Sequence, residues 1–435
     1  MMLLNPVVIS VIVLCVLCLC KLNVMMSMLI ACFAGGLAGG MLIPDIMSTL
    51  VGGFTGNAET ALAYVLLGTF ATAMASTGIA SILAKKVSGA VGERPKVLLF
   101  ILAGIACLSQ NVIPVHIAFI PILIPPLLFL MNRLRIDRRA AACALAFGLK
   151  APYITIPVGF GLLFHGIIAD NLTANGMPVE VGEVWKANWI LGVSMVIGLL
   201  IAIFFSYRKP REYKNLTVDT EESDAVISTN LEWRHWVTII AIIVTVAVQL
   251  WQGSLPLAAL SGLIVMIVLK GIDWKDIDSQ FDGGIKLMGF IAFVMLIAGG
   301  YAEVMKATGG VEELVVSAVS LMQGSKLMAA FVITLIGLLV TMGIGTSFGT
   351  VPVLAVLYVP LCQQIGFSVP ATILLMSAAA ALGDAGSPAS DTTLGPTSGL
   401  NADKQHDHIW DTCVPTFLHF NIPLMIAAII ASQFI

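Results

Sequence analysis

The chain has 435 residues and a net charge of −3, and its composition is 58% hydrophobic and only 11% charged. Soluble domains carry about 25% charged residues, so this composition excludes a soluble globular protein and predicts a polytopic α-helical membrane protein. The apolar runs are continuous rather than alternating, which excludes a membrane β-barrel. The eight cysteines form no zinc-binding pattern, and we expect no cofactor beyond a coupling ion and no nucleic-acid partner.

Segments that are long and apolar enough to enter a bilayer follow one another along the whole chain. Two of them, 97–131 and 327–361, are too long for one crossing and contain prolines, so each is expected to make two passes or a re-entrant hairpin. We therefore predict an all-α fold with about 10–14 transmembrane segments. The segments are 3–20, 23–43, 58–83, 97–131, 140–168, 188–207, 236–252, 254–270, 285–302, 311–322, 327–361, 370–400 and 413–435.

Basic residues cluster in three hydrophilic loops, and the positive-inside rule places all three in the cytoplasm. We expect a multi-pass protein of a bacterial cytoplasmic membrane. The loop 401–412 should also be cytoplasmic by span counting, although Asp403, Asp407 and Asp411 outnumber Lys404 there. Acidic residues weigh little in the rule, so we keep this assignment. The basic clusters are Lys85, Lys86, Arg94 and Lys96; Arg133, Arg135, Arg138 and Arg139; and Arg208, Lys209, Arg211 and Lys214.

A hydrophilic stretch at 208–235 divides the apolar chain into two halves, 1–207 and 236–435. The stretch carries charges of both signs and shows no apolar stripe at helical spacing. We interpret it as a cytoplasmic linker between two transmembrane repeats.

Short sequence matches support an internal duplication. The sequence MASTG at 74–78 recurs as MKATG at 305–309, and PIL at 121–123 recurs as PVL at 352–354, in each case 231 positions later. Span counting places equivalent loops on opposite sides of the membrane. We therefore predict two inverted-topology repeats, an arrangement found in many secondary transporters.

Four segments interrupt the apolar runs with glycine or proline and with polar side chains. They are 109–116 and 150–157 in the first half, and 343–350 and 383–393 in the second half. A membrane protein retains broken, polar backbone at depth only where protein or a water-filled cavity covers it. In transporters built from inverted repeats, such broken helices form the binding site near the bilayer midplane.

The segment 383–393 carries two aspartates, Asp384 and Asp391, among hydroxyl side chains. An aspartate at the centre of a bilayer helix costs about 2.5–3.5 kcal/mol, so both need a compensating role. Carboxylates, hydroxyls and unwound backbone carbonyls are the hard oxygen ligands that Na⁺ requires. One aspartate could bind the cation while the other exchanges a proton, and a role as the N-cap of the following half-helix is the alternative for each.

Lys150 occupies the position in the first half that Asp384 occupies in the second. An unpaired lysine inside a membrane is costly, so we predict an Asp384–Lys150 pair, with snorkelling to the interface as the alternative. His116 and His165 could relay protons or contact substrate, and a structural role is the alternative. His406 and His408 lie in a charged loop, where we expect them to be solvated.

Two motif matches would instead favour an enzyme. The sequence GTSFG at 345–349 fits the G-x-S-x-G nucleophile elbow, but that elbow requires a strand–turn–helix context. Gly383-Asp384 is similar to the G-x-G-D of intramembrane aspartyl proteases, but position 381 is alanine and no apolar span supplies a second catalytic aspartate. We predict no enzymatic activity, and inverted halves suit alternating access better than a passive channel.

The segment 383–393 resembles the GD-x-x-SP-x-SDTT signature of NhaC-type Na⁺/H⁺ antiporters, and 345–350 is similar to the GTSWGT segment of that family, with Phe348 in place of tryptophan. The N-terminal helices resemble those of the YuiF-like branch, some members of which are thought to import amino acids such as histidine. The resemblance implies a cation site in which Asp384 and Asp391 are the Na⁺ ligands. The other members of that site are Ser387, Ser390, Thr392, Thr346 and Ser347.

Lys150 departs from a pure cation exchanger and could hold a substrate carboxylate, so we place a substrate site at Lys150, Asn111, His116, Tyr153 and Thr155. The predicted function is secondary active transport, with Na⁺/H⁺ exchange by alternating access. The alternative is Na⁺- or H⁺-coupled uptake of an amino acid such as histidine. The expected partners are the lipid bilayer, a small cation and, in the alternative, a small organic solute, and a homodimer is left open.

Overall fold

The computed structural model describes residues 4–20, 22–79, 82, 89, 91–111, 119–214, 232–314, 325–344 and 347–435, and all regular structure in these residues is helical. The first half contributes nine helices to the described part. They are α1 (Pro6–Leu19), α2 (Val24–Ala38), α3 (Ile43–Gly52), α4 (Ala58–Ser76), α5 (Pro95–Asn111), α6 (Ile120–Arg133), α7 (Arg138–Thr155), α8 (Phe160–Ala174) and α9 (Val181–Ile201). A 3₁₀ turn, Gly53–Asn57, separates α3 from α4, and a π-helical turn, Ala202–Ser206, extends α9.

The second half contributes eight helices to the described part. They are α10 (Trp233–Gln252), α11 (Leu255–Val268), α12 (Ile277–Ala307), α13 (Lys326–Ile344), α14 (Ser347–Ile365), α15 (Val369–Ala381), α16 (Asp391–Leu400) and the composite α17 (His408–Ala431), which contains two π-helical turns. The two runs predicted to be too long for one crossing each contain two helices, α5 and α6 in the first half and α13 and α14 in the second.

Five helical stretches within the described residues are long and apolar enough to cross a membrane, and the pair α7 and α8, bent by 47° at its break, would be a sixth. Eight further apolar helices have 10–17 residues. The predicted class, an all-α polytopic membrane protein with broken helices, is confirmed. The number of about 10–14 crossings requires the shorter helices to cross as well, so it stays a prediction. The division at 208–235 and the inverted orientation of the halves also stay predictions.

The helices form two groups, and each half of the chain contributes to both. We call α1–α4 with α10–α12 the frame. Helices α2, α3 and α4 pack on the long helix α12, α1 packs on α2, α11 packs on α4, and α10 packs on α11. The broken-helix bundle comprises α5–α9 and α13–α17. The two groups meet where α1, α4 and α12 contact α13, α6 and α16.

Equivalent close contacts hold the broken helices in the two halves. A Cβ added at Gly148 of α7 would overlap the Cβ of Ala106 of α5, and a Cβ added at Gly337 of α13 would overlap that of Ala379 of α15. Both members of the second pair follow their counterparts by 231 positions, from 106 to 337 and from 148 to 379. The first half therefore has alanine on α5 and glycine on α7, whereas the second half has glycine on α13 and alanine on α15. The same contact at the same offset supports the internal duplication.

The acidic loop 401–407 is held by arginines. Arg138 Nη1 and Nη2 donate to the carboxylate of Asp403 at 2.6 and 2.5 Å, and Arg211 donates to Asp411 at 2.8 Å. Burial alone would raise the pKa of Asp403, but the hydrogen bonds and the charge of Arg138 bring it below its usual value. Two of the three aspartates that outnumber Lys404, Asp403 and Asp411, are thus paired with basic residues from elsewhere in the chain. This agrees with placing the loop on the same side as those basic residues.

The duplicated contact predicts the effect of moving the glycine. We expect Gly337→Ala to lower the unfolding temperature of the detergent-solubilised protein, because overpacking costs about 1–3 kcal/mol and outweighs the roughly 1 kcal/mol that alanine gains in a helix. The double variant Gly337→Ala/Ala379→Gly reproduces the arrangement of the first half and should recover most of the loss.

The control is Gly104→Ala on α5, where an added Cβ meets nothing within 4 Å. It should leave the unfolding temperature unchanged or raise it slightly. A double variant as unstable as Gly337→Ala would contradict the equivalence of the two contacts.

Candidate ion and substrate site

The break between α15 and α16 forms because its glycines adopt a backbone that other residues rarely adopt. Gly383 and Gly386 have φ of 84° and 95°, in the left-handed region. An added Cβ at Gly383 would also lie 2.6 Å from the carbonyl oxygen of Leu338, so the break packs directly against α13. Ser390 then begins α16, because its hydroxyl accepts from the backbone N–H of Thr392.

The break in the first half lies between α7 and α8. Pro152 and Pro157 interrupt the helical hydrogen bonding near the end of α7, and Gly159 has φ of 58°. The side-chain amide of Asn111, at the end of α5, donates to the carbonyls of Pro152 and Ile156 at 3.2 and 3.3 Å. Asn111, predicted to bind substrate, therefore ties α5 to this break.

Asp384 is the centre of the site and is only 5% exposed. Its Oδ2 accepts from Lys150 Nζ at 2.6 Å and from the Ser347 hydroxyl at 2.9 Å. The Tyr153 hydroxyl donates to the same oxygen at 3.1 Å, and Ser390 donates to Oδ1. The carboxylate thus draws hydrogen bonds from α7 in the first half and from both breaks of the second half.

The predicted Asp384–Lys150 pair is present, and the snorkelling alternative for Lys150 is wrong because its side chain is 1% exposed. A buried ion pair offsets the cost of desolvation only when its geometry is good and further hydrogen bonds satisfy both partners. Ser347, Tyr153 and Ser390 supply those bonds to the carboxylate. The N-cap alternative for Asp384 is also wrong, since its carboxylate binds side chains from other helices.

Asp391 lies one position inside α16 and accepts from the Tyr64 hydroxyl of α4 at 3.1 Å. The N-cap is Ser390, so the N-cap alternative for Asp391 is wrong as well. In the first turn of a helix a carboxylate is favoured by the helix dipole. Asp391 therefore connects the broken-helix bundle to the frame.

The other predicted residues of the cation site divide into two kinds. Thr392 donates to the backbone carbonyl of Asp384 at 3.1 Å, so its hydroxyl, like those of Ser347 and Ser390, belongs to the immediate surroundings of that residue. The hydroxyl of Ser387 instead accepts from the N–H of Ala389 at 3.3 Å and shapes the turn. Thr346 lies outside the described residues.

The predicted substrate residues also separate. Tyr153 faces Asp384, and its ring stacks on Phe348 with centroids 5.6 Å apart. Thr155 donates to the carbonyl of Ala151 in its own helix at 2.6 Å and packs against Gly192, away from Asp384. His165 is buried, and its Nε2 lies 2.8 Å from the carbonyl oxygen of Ile154. This contact corresponds to the structural role predicted from the sequence as the alternative. His116 lies outside the described residues.

A cavity of about 440 Å³ opens beside Asp384 between the frame and the broken-helix bundle. Its polar lining from the frame is Asn57, Thr60 and Tyr64, three residues that sequence reasoning missed. The glycine-rich stretch 52–56, which turns between α3 and α4, was the signal that could have identified them. The lining from the bundle includes Gln110, Tyr153, Phe160, Ser347, Phe348, Asp384, Asp391 and Thr392.

The chemistry of this site is that of oxygen ligands next to a lysine. The carboxylates of Asp384 and Asp391 and the nearby hydroxyls could coordinate Na⁺, and at Asp384 the ion would compete with the ammonium of Lys150. Ser347 is the first residue of α14, and the preceding element is the helix α13. A nucleophile elbow instead requires a strand, a turn and a helix in succession.

Comparison with known proteins identifies the family of the chain. Residues 143–430 match the Na⁺/H⁺ antiporter family, and residues 5–91 match a second Na⁺-H⁺ antiporter family. The chain is 48% identical to the uncharacterized membrane protein VP2115 of Vibrio parahaemolyticus, over 99% of both chains. It is 43% identical to the putative amino acid transporter YuiF of Bacillus subtilis, over 98% of this chain and 99% of that protein.

Among solved structures, the YdaH transporter of Alcanivorax borkumensis has a TM-score of 0.47 and 15% identity over 90% of this chain and 88% of that one. The family match covers more than half of the chain and includes both α7, with Lys150, and the break with Asp384. The chain belongs to the Na⁺/H⁺ antiporter family.

Proposed function

We propose that the protein couples a Na⁺ or H⁺ gradient to the uptake of a small organic solute that carries an ammonium group, such as an amino acid. Its family makes the protein a secondary transporter and not an enzyme. The observation that carries the finer proposal is the size and lining of the cavity next to the Asp384–Lys150 pair. We further propose the bacterial cytoplasmic membrane as its location, with the basic loops inside.

The cavity is much larger than an ion needs. A site that holds one water molecule requires about 10–15 Å³ by the same measure, whereas this cavity has about 440 Å³. Its walls combine the aromatic rings of Phe160 and Phe348 with a few polar groups, as is typical of sites for small organic molecules. An organic solute would fill this volume, and a bare cation would not.

The charges of the lining favour a solute with a positive group. Lys150 neutralises Asp384 at 2.6 Å, and Asp391 is the second carboxylate of the lining. An ammonium group would contact Asp391 on the bundle side of the cavity and the hydroxyl of Tyr64 on the frame side. The name of the relative YuiF, which is 43% identical, supports an amino acid as the solute.

Na⁺/H⁺ exchange is the second candidate, and the Asp384–Lys150 pair favours it. A Na⁺ ion bound at Asp384 would displace the ammonium of Lys150, which could then release its proton, so one carboxylate would serve both ions in turn. The two candidates share Asp384 and differ in whether the cavity must hold an organic molecule.

Proteoliposomes distinguish the two candidates. Accumulation of a labelled amino acid that depends on an inward Na⁺ or H⁺ gradient supports the proposal. Dissipation of a pH gradient by Na⁺ with no organic solute present supports exchange. If protein that is folded and correctly inserted gives neither signal, both candidates are overturned.

Asp384→Asn should abolish gradient-driven transport, because a neutral amide cannot balance Lys150 or hold a cation. Uptake or exchange in proteoliposomes measures the effect, with protein amount and monodispersity determined by size-exclusion chromatography. Asp170→Asn, on an exposed position of α8, is the control and should retain full activity. If Asp384→Asn transports as well as the wild type, the assignment of Asp384 to the transport site is wrong.

Lys150→Met should lower the free energy of unfolding by about 3–5 kcal/mol, because it leaves the buried Asp384 without its counter-charge. The double variant Lys150→Met/Asp384→Asn should recover most of that stability and still not transport. Thermal unfolding in detergent measures the first effect and proteoliposome uptake the second. The control Lys186→Met breaks an exposed pair with Glu183, which contributes about 0–1 kcal/mol.

Asp391→Asn should raise the KM for the organic solute roughly tenfold or more, since a hydrogen bond to a charged group contributes about 1.5–3 kcal/mol. The Asp384–Lys150 pair stays intact in this variant, so the unfolding temperature should change little. Concentration-dependent uptake provides the measurement. A KM equal to that of the wild type would place the ammonium group elsewhere in the cavity.

A further inference from the structure

A second cavity, of about 400 Å³, lies beside the C-terminal half of α16. Its polar lining consists of Asn23 from the frame and Thr397, Ser398, Asn401, Asp407 and His408 from the bundle. Like the cavity at Asp384, it is bounded by the frame on one side and by the broken-helix bundle on the other. We call the cavity at Asp384 the upper cavity and this one the lower cavity.

The two cavities approach each other to within about one helical turn. On α12 of the frame, Met295 lines the upper cavity and Ile291, four residues earlier, lines the lower one. On α16 of the bundle, Thr392 lines the upper cavity and Leu394 the lower one. Four residues of helix rise about 6 Å, so the separating layer is thin.

The side chains between the two cavities are apolar. Ile291, Met295 and Leu394 are all buried in one apolar core cluster, and α12 contacts α16. The side-chain amide of Asn57 donates to the carbonyl of Met295 at 2.8 Å and holds the upper edge of the layer in place. A thin apolar constriction blocks ions because they would have to shed their hydration within it.

The positive-inside rule assigns the two cavities to opposite sides of the membrane. The lower cavity adjoins 401–412, which Arg138 and Arg211 bind through Asp403 and Asp411, so it faces the cytoplasm by the positive-inside rule. The upper cavity reaches Gly56, Asn57 and Leu255, which lie at the N-terminal ends of α4 and α11. These ends are on the side of the protein opposite to the lower cavity. The layer between them therefore separates two aqueous half-pathways.

The lower cavity is also connected to the break. His408 lies with Nδ1 2.8 Å from the Thr397 hydroxyl and Nε2 2.9 Å from the carbonyl oxygen of Pro388. His406 is 3% exposed and bonds to Thr412 at 2.7 Å, so the expectation that it is solvated is wrong. His408 is half-buried and lines the lower cavity. A change in the break at Pro388 would thus reach the wall of the lower cavity directly.

We propose that Ile291, Leu394 and Met295 form the hydrophobic gate of the transport pathway, and that the lower cavity is its cytoplasmic vestibule for the same small cation or ammonium-bearing solute. This inference rests on the proposed transport function. The gate lies at the interface of two separately packed helix groups, so a small displacement of the frame against the bundle opens it, as in rocking transporters.

Cysteine labelling tests the two half-pathways without any assumption about the solute. In a cysteine-free variant that has been checked for folding, Thr60→Cys should react with a membrane-impermeant maleimide at least roughly tenfold faster from the outside, and Ser398→Cys at least roughly tenfold faster from the inside. Glu183→Cys and Lys404→Cys, at exposed positions, mark the two sides. Labelling of Thr60→Cys and Ser398→Cys from the same side would overturn the proposal.

Shortening the gate residues tests the layer itself. Leu394→Ala or Ile291→Ala, each combined with Ser398→Cys, should make that cysteine react from both sides and should let Na⁺ leak down its gradient. Leu257→Ala, at an exposed position of α11, is the matched control and should leave the sidedness unchanged. Two variants on different helices keep the test informative if one fails to fold.

Retention of strict inside labelling in both shortened variants would overturn the gate. Opposite sidedness without uptake of any amino acid would instead refute the proposed solute and leave the gate standing. The two hypotheses therefore fail by different measurements.

Discussion

A carboxylate in the interior of a membrane protein must find both a counter-charge and hydrogen-bond donors inside the protein, because neither lipid nor apolar side chains can supply them. Asp384 meets this requirement with Lys150 from the first half of the chain and with Ser347 and Ser390 from the second. The breaks in the helices are a consequence, since only unwound backbone brings these groups to one point. The pair thereby joins the two halves through charge.

The division into frame and broken-helix bundle gives that pair its functional setting. Close helix contacts that require a glycine occur in both groups, at Gly148 and Gly337 in the bundle and at Gly68 and Gly284 in the frame. The frame also has its own small apolar cluster. Both described cavities lie at the boundary between the groups. A boundary that carries cavities with polar lining is a natural plane for relative movement, and the site residues Asp391 and Tyr64 bridge it.

Much of this site could be predicted from the sequence because membrane helices make polar residues conspicuous. Asp384, Lys150, Ser347, Ser390 and Tyr153 were all predicted, and the structure brings their side chains together. Thr155 was predicted on the same ground and points elsewhere, because position along a helix does not settle which face looks toward a cavity. Tyr64, Asn57 and Met295 were missed, since a tyrosine or methionine in an apolar helix is ordinary core material.

The sequence by itself determined the membrane class, the breaks and the need for an Asp384–Lys150 pair, and it predicts a duplication with an offset of 231 positions. These follow from composition and from the cost of burying charge, both of which are local properties of the chain. Only the tertiary structure decided which helices form the frame, where the two cavities lie and that Ile291 and Leu394 are buried between the two groups. Such features depend on which faces of distant helices pack together, and no local pattern specifies that choice.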